Sequence, residues 1–502
     1  MSGAVGDRVG RSEEDLVERH GVAGYAIRST CSWQAVAAVA GAWMFEPGVR
    51  VGLSHRGGVL VIVALSMCAV FVILTRTGTR MLVTVALMVT VGAVSGARSS
   101  AEWSVFDAPV EGRVSGPARV VSDPSRVDGG VRLVLEHHGR RFEGVAHGPL
   151  AWVADDLVAG MWVDVDGRIH DGARARRLAV RHIVGVVEIA RLRIPRGSPE
   201  TRMRGLERSS MFVRGILARG ASSLAPDDAA LFAGLVYGDD SGQSRAVVED
   251  FRSSGLAHLT AVSGQNVGYL MTLVAPLLRR RGRWTRLSAT LVLLLWFTTL
   301  TRSEPSVVRA GGMAAVSAVM LAFGVRRHAI DVLTSCVVVF VVIDPLLVWS
   351  VGWWLSVAGT LGLVVFTPSV HRAMRVGVRR RWIADWIAPT LSAQIGVFPV
   401  ALVVFGWPNA WAIPANLIAG PVAGVLMLVG LPLALLAGSW PSVAAVAMFG
   451  PLLAVRWVSL VAAVAAHLRP PPVLNVALVV GGPFLAMAVG RSRRHRCANV
   501  GA

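Results

Sequence analysis

The chain has 502 residues, 54% of them hydrophobic, and a mean hydropathy of +0.57. That is the composition of a polytopic membrane protein and excludes an ordinary soluble globular domain. The formal charge of +19 is carried by arginine alone, since the sequence holds no lysine; a Walker A loop needs a lysine on the phosphates, so these residues encode no ordinary P-loop ATPase.

The four cysteines, Cys31, Cys68, Cys336 and Cys497, show no metal-binding spacing with one another or with histidine. They read as small packing residues rather than a zinc site or a disulfide framework.

The N-terminal segment, residues 1–31, is polar and mixed in charge from Asp7 to Arg28. No basic stub leads directly into an apolar core there, so it does not read as a cleavable signal peptide. Three apolar segments follow within residues 32–97: Ser32–Phe45, Gly57–Thr75 and Met81–Ala97.

Between about 105 and 187 the texture changes. Short alternating runs such as Val131–Glu136 and Met161–Asp166 recur between turn signals at Asp123-Pro124, Asp128-Gly129-Gly130, His138-Gly139 and Asp166-Gly167. This predicts a small β domain, a barrel or sandwich of five or more strands.

Residues 196–254 read as an amphipathic helix followed by two short helices. The first has apolar positions at Met203, Leu206, Val213 and Leu217 with arginines between them. It lies on the membrane surface or packs as a linker helix on the β domain. Pro226 and Asp227-Asp228 open the second, which stops near Gly238. The third runs from about Ser244 to Gly255, placed as a left-handed cap. The turn Tyr237–Gly242 between them reads as a plain polar turn more readily than as a cation site.

Residues 255–490 are nearly all membrane. The expected spans are Ala257–Leu278, Leu287–Thr301, Pro305–Val325, Ala329–Ile343, Leu346–Phe366, Trp382–Phe405, Ala410–Ala437, Val443–His467 and Val473–Gly490, for about twelve transmembrane helices in all. Arginine clusters at Arg279–Arg286, Arg326-Arg327, Arg372–Arg381 and Arg491–Arg496 are separated by two, two and four of these spans. Even numbers put all four clusters on one side, which the positive-inside rule makes the cytoplasm. The N-terminus and the basic tail, residues 491–502, then fall inside, and the β domain falls outside.

No catalytic set or metal site emerges. His137, His138 and His147 have no zinc-enzyme spacing, and no cofactor motif is present. Polar residues in apolar spans carry more information, because they are costly unless they face a cavity or a partner helix. His258, Ser263, Gln265 and Asn266 lie in the first span after the helices, beside a Gly264/Gly268 small-residue pair. Arg309 falls inside the next span but one, with Glu304 as the obvious ion-pair partner near Arg302 and Pro305. Pro414, Asn416, Pro421 and Gly424 interrupt a later span, as in broken helices that line cavities.

Taken together, Gly234–Asp239, Gly255–Gly268, Arg302–Ala310, Asp344–Leu347 with Leu355–Gly362, and Pro414–Pro421 resemble, in order, the competence domain of the ComEC/Rec2 family of competence proteins. The resemblance covers roughly Leu231 to Pro432. It implies a membrane channel that passes single-stranded DNA into the cytoplasm, with an OB-fold-like external domain and no cofactor. His258, Ser263, Gln265, Asn266, Arg309 and Asn416 are then assigned to the translocation path. Phe142, Trp152 and Trp162 become candidates for base stacking, although core packing suits each of them too.

The implied partners are single-stranded DNA, membrane lipids, a cytoplasmic motor or single-strand-binding protein, an external DNA receptor and a separate nuclease. The sequence departs from the family in having no metallo-β-lactamase-like segment after Arg496. Asn266 stands where many members have histidine, and no cysteine pair occurs in the β domain. A transporter of another anionic polymer or lipid-linked substrate, and a membrane-embedded nuclease or hydrolase, are the rival readings.

Overall fold

The computed structural model describes residues 34–40, 79–107, 112–127, 129–170, 176–195, 205–260, 264–302, 305–324, 328–377, 381–468, 470–471 and 475. The expected span Gly57–Thr75, all of Val473–Gly490 but Asn475, most of Ser32–Phe45, the arginine pair 326–327, the tail 491–502, and Cys31, Cys68 and Cys497 lie outside these residues. The chain forms two compact units, Met1–Met203 with Phe323–Trp354, and Arg204–Ala322 with Leu355–Ala502.

In the first unit, helix α1 (Thr79–Asp107) leads into a barrel of five strands: β1 (Gly112–Val127), β2 (Gly130–His137), β3 (Arg140–Ala146), β4 (Trp162–His170) and β5 (Ile183–Arg193). The strands follow the order β1–β2–β3–β5–β4, and β4 pairs back on β1 to close the barrel. All pairings are antiparallel except β3 with β5. Alternation drives this part of the chain: Val131, Leu133 and Leu135 point inward from β2, and Val163 and Val165 from β4. The last strand runs beyond Val187 because Ile189 and Leu192 continue the inward set.

A short helix, α2 (Pro149–Asp155), adds Ala154 to the barrel core. Another, α3 (Arg176–Ala179), precedes β5. Still in this unit, Ala179 packs with Trp103 of α1 and with Leu346. Leu346 belongs to a single 3-10 turn, Pro345–Trp349, which follows α11 (Ala329–Ile343). His182, in the left-handed region at φ 57, bonds to Asp344 beside that turn through Nε2 and Oδ2 at 3.0 Å.

The second unit is helical. It contains α4 (Gly205–Ala221), α5 (Pro226–Tyr237), α6 (Arg245–Ser253), α7 (Ala257–Thr260), α8 (Gly264–Leu278), α9 (Arg283–Leu300) and α10 (Pro305–Ala322). It also holds most of α12 (Val351–Gly377), then α13 (Arg381–Phe405), α14 (Ala412–Ser439) and α15 (Ala444–His467). Four stretches, Val351–Arg375, Ile383–Phe405, Ala412–Ser439 and Pro441–His467, are long and apolar enough to cross a membrane. With the family result given below, they make this a membrane protein.

The local signals act as read. Pro226 and the acids behind it open α5, and Gly238 at φ 76 ends it. Ser244 caps α6 by accepting from the Val247 amide. At the far end Gly255, at φ 77, donates to Arg252 and Leu256 donates to Phe251. That is the double hydrogen bond of a Schellman cap, and Leu256 and Phe251 bury together as the cap requires.

Of the expected span Ala257–Leu278, the described residues form α7 and α8. Helix α4 packs on α14 and α9. The contact is close, since a Cβ on Gly220 would come 2.2 Å from the Ala434 carbonyl oxygen and one on Gly438 would meet the Ile216 carbonyl oxygen. Between α12 and α13, a Cβ on Gly362 would sit 2.7 Å from the Gly396 Cα, so these small residues set a backbone-to-backbone crossing.

Candidate functional site

In the second unit, charged side chains from three segments meet. Arg214 of α4, only 8% exposed, donates from Nη2 to Asp239 Oδ2 at 2.8 Å and from Nη1 to the Leu300 carbonyl oxygen at 2.7 Å. Its guanidinium lies 5.3 Å from the ring centroid of Tyr237, a buried residue. Arg302 Nη2 lies 3.7 Å from the same Asp239 oxygen, while Ser241 Oγ donates to the other at 2.5 Å. Asp239 thus directs both oxygens to protein donors.

Arg302 sits at φ 57. A non-glycine residue in that region carries a cost of order 1–3 kcal/mol and persists where its surroundings hold it. Here the end of α9, the turn after α5 and a buried arginine of α4 do so. The cluster joins two of the motifs from the sequence, Gly234–Asp239 and Arg302–Ala310.

The expected path residues fall into two groups. Gln265, Asn266 and Arg309 belong to the crossing of α8 and α10, where a Cβ on Gly264 would stand 3.0 Å from that of Ala310. Gly268, the other half of the small-residue pair, has nothing within 4 Å of such a Cβ. Asn266 is buried and its amide donates to the Leu235 carbonyl oxygen at 3.4 Å. It lines a small cavity with Tyr269, Phe297 and Met427, with room for about one water. Tyr269 stands over Gly424, where a Cβ would come 2.5 Å from its hydroxyl. Gln265 is exposed and Arg309 is 8% exposed.

The second group is His258 and Asn416. His258 is exposed on α7. Asn416 is buried on α14, where it donates to the Ala412 carbonyl oxygen one turn back. Gly255 abuts Ala412, its Cβ position 2.7 Å from the alanine methyl. Ser263 and Glu304 lie outside the described residues, and with Glu304 so does its pairing with Arg309.

On the barrel the three aromatic candidates separate. Phe142 is 4% exposed within the core. It is an inward-facing residue of β3, so its ring is covered and it is withdrawn as a stacking candidate. Trp162 is half-buried. Trp152 is 82% exposed on α2. His137 and His147 bond through Nδ1 to the carbonyl oxygens of Pro117 and Gly129. Among the described residues no three His, Cys, Asp or Glu side chains gather as metal ligands.

Sequence reasoning missed Arg214, Asp239 and a further pair, Asp228 with Arg456. Arg214 was hidden among many arginines of an amphipathic helix. Its signal is position, since it is next to Val213 and three residues before the buried Leu217. Asp228 looked sufficient as a helix-start signal. Arg456 stands alone in the apolar run Val443–His467, and that isolation was the signal.

Four described helices long and apolar enough to cross a membrane, joined to a five-stranded barrel, define the class as a membrane protein. A family model described as "Competence protein" matches residues 235–493, just over half of the sequence, and the chain belongs to that family.

Among individual relatives, ComE operon protein 3 of Bacillus subtilis (strain 168) is 28% identical over 223 residues, 41% of this chain and 27% of that protein. Uncharacterized protein YcaI of Escherichia coli (strain K12) is 25% identical over 212 residues, 38% of this chain and 27% of the relative. The chain therefore spans about a quarter of the length of these relatives. No solved structure matches it. Arg214, Asp228 and the barrel precede the matched region; Asp239, Arg302 and Arg456 lie within it.

Proposed function

We propose that this protein passes single-stranded DNA through the membrane into the cytoplasm during DNA uptake. Membership of the competence family carries this reading. The cluster of Arg214, Asp239 and Arg302 supports it, because a phosphodiester chain cannot enter hydrocarbon and needs a polar, positively charged route. His258, Ser263, Gln265, Asn266, Arg309 and Asn416 are assigned to that route.

The chain takes about twelve spans with both termini in the cytoplasm. The barrel is external and OB-type, a reading supported by its strand order and its parallel β3–β5 pair. Exposed Trp152, with half-buried Trp162, offers a stacking surface for bases. Inward movement of anions opposes an inside-negative potential by about 2.3 kcal/mol per charge per 100 mV. A cytoplasmic motor or a single-strand-binding protein therefore pulls or traps the strand, an external receptor delivers it, and a separate nuclease removes its complement.

Labelled DNA tests the reading in cells with the wild-type chain or a deletion. Internal label lost with surface label retained supports it. Unchanged uptake on deletion, in cells that take up DNA, rejects it.

Passage of a different anionic polymer is the second reading, and one observation favours it. Residues 112–193 hold thirteen arginines against ten acids, and the outer face of β2 and β3 is ion-paired. Arg132 and Arg181 approach Glu143, and Arg141 approaches Glu136. That is the face on which an OB-type barrel binds oligonucleotides. Steeply salt-dependent single-strand binding by the full-length protein in nanodiscs favours DNA; weak, flat binding favours the other polymer.

A further inference from the structure

Helix α15 carries Arg456 at its midpoint, in the stretch Pro441–His467 that is long and apolar enough to span a bilayer. At 1.5 Å per residue that places Arg456 about 17 Å from either end of the helix. In a hydrocarbon layer of about 30 Å this is the centre, beyond what snorkelling to an interface can relieve.

Asp228 meets it. One oxygen, Oδ2, accepts from both Nε and Nη2 of Arg456 at 3.0 Å. Asp228 stands in the first turn of α5, where the helix dipole favours a negative charge. Seven consecutive residues of α5, Leu231–Tyr237, are buried. Phe232 and Val236 press on Gly430, where a Cβ would come within 3.2 and 3.0 Å of them. Gly430 is well inside α14, another helix fit to span. Next to Arg456, Trp457 Nε1 donates to the Ile418 carbonyl oxygen of α14 at 3.4 Å. Helix α5 thus lies along the middle of two apolar helices.

The pair is asymmetric. Asp228 is 17% exposed and Arg456 61%. A guanidinium has five N–H donors, and Asp228 takes one from Nε and one from Nη2. The others have no partner among the described residues. At membrane depth such an edge is tolerated only in water.

We propose that α5 is a re-entrant helix at membrane depth and that Arg456, held by Asp228, binds the phosphate oxygens of a passing polyanion in a wet cleft. The open guanidinium edge matches two oxygens of one phosphodiester. The carboxylate beside it keeps the site from holding the chain too tightly to release. This proposal rests on the reading of the protein as a conduit for an anionic polymer.

The test uses the full chain in its membrane, with the four native cysteines changed to serine and insertion checked by blot. A membrane-impermeant maleimide is expected to label Leu453→Cys and Leu460→Cys, 55% and 57% exposed and one turn to either side of Arg456 on the same face of α15, and a single-stranded oligonucleotide to protect them only while Arg456 is present. In uptake assays R456A falls to the deletion level and R456K retains transport.

Unlabelled Leu453→Cys and Leu460→Cys, or R456A taking up DNA like wild type in cells where deletion abolishes uptake, overturns the proposal and leaves the DNA reading intact. If deletion leaves uptake unchanged while inorganic polyphosphate protects a labelled Leu453→Cys in an Arg456-dependent way, the DNA reading fails and the anion site stands.

Discussion

On the barrel, Arg113 meets Asp166 and Arg126 meets Asp155, each through two hydrogen bonds. Both arginines are well over half exposed. In the helical unit Arg214 meets Asp239 with its side chain 9% exposed and a tyrosine ring beneath it. The geometry is similar, but the surroundings reverse its meaning. Water solvates an exposed arginine whether or not a carboxylate is near, so the pair adds little. A buried arginine has no such alternative, and its partner becomes a condition of folding. The barrel's ion pairs decorate a fold made by alternation; those of the helical unit hold segments remote in sequence at one point.

The largest effect therefore belongs to Asp239. Asp239→Ala leaves Arg214 charged and buried, for a loss of about 3–5 kcal/mol. The readout is the thermal midpoint and folded yield in detergent. Arg214→Met combined with Asp239→Ala is expected to recover much of the loss, since removing both partners avoids the orphaned charge. If the double variant is as unstable as the single, the comparison between the two regions breaks.

Next comes the α12–α13 crossing. Gly362→Ala places a methyl 2.5 Å from the Ser392 carbonyl oxygen, forcing the helices apart at a cost of about 1–3 kcal/mol. Gly268→Ala, with open space around it, is expected to be neutral or to stabilise α8 by about 0.5–1 kcal/mol. Thermal unfolding of the two variants side by side distinguishes packing from helix propensity.

The parts of this molecule set by local rules were legible in sequence. Pro226, Ser244 and Gly255 announced helix ends because caps depend on a few adjacent residues. The strands were legible because a barrel writes a period of two into the chain. Ala329–Ile343 was placed by hydropathy alone. The cluster at Asp239 was not legible as a site: it joins residues 214, 239 and 302, and nothing local says that an arginine on one helix and another in a distant loop share an acid. Phe142 shows the converse limit. An aromatic on an alternating strand has two faces to choose from, and only the closed barrel shows that it points inward.

A smaller effect depends on pH. The hydrogen bond to Asp344 raises the pKa of His182, with burial opposing it. A raised value means that the contact is complete below the ordinary 6.5 and is lost as pH rises through the raised value. Amide exchange around Ile183 should accelerate over that range, and His182→Gln should remove the pH dependence. If exchange accelerates instead as pH falls, the imidazolium is not what holds the contact.

The smallest effect is expected at Arg126. Its hydrogen bonds hold the Asp155 carboxyl below the usual range, so whatever the pair adds is present above the unfolded carboxyl value and fades as pH falls through the folded one. Arg126 is fully solvated at its outer edge, and salt screens the attraction. Arg126→Ala should leave the unfolding midpoint unchanged at neutral pH and moderate salt, with a difference emerging only at low ionic strength. A midpoint drop as large as that of Asp239→Ala would mean that exposed and buried pairs are not distinguished by solvation here. The contrast between barrel and bundle would then need another cause, such as a partner that covers the Arg126 side of the barrel.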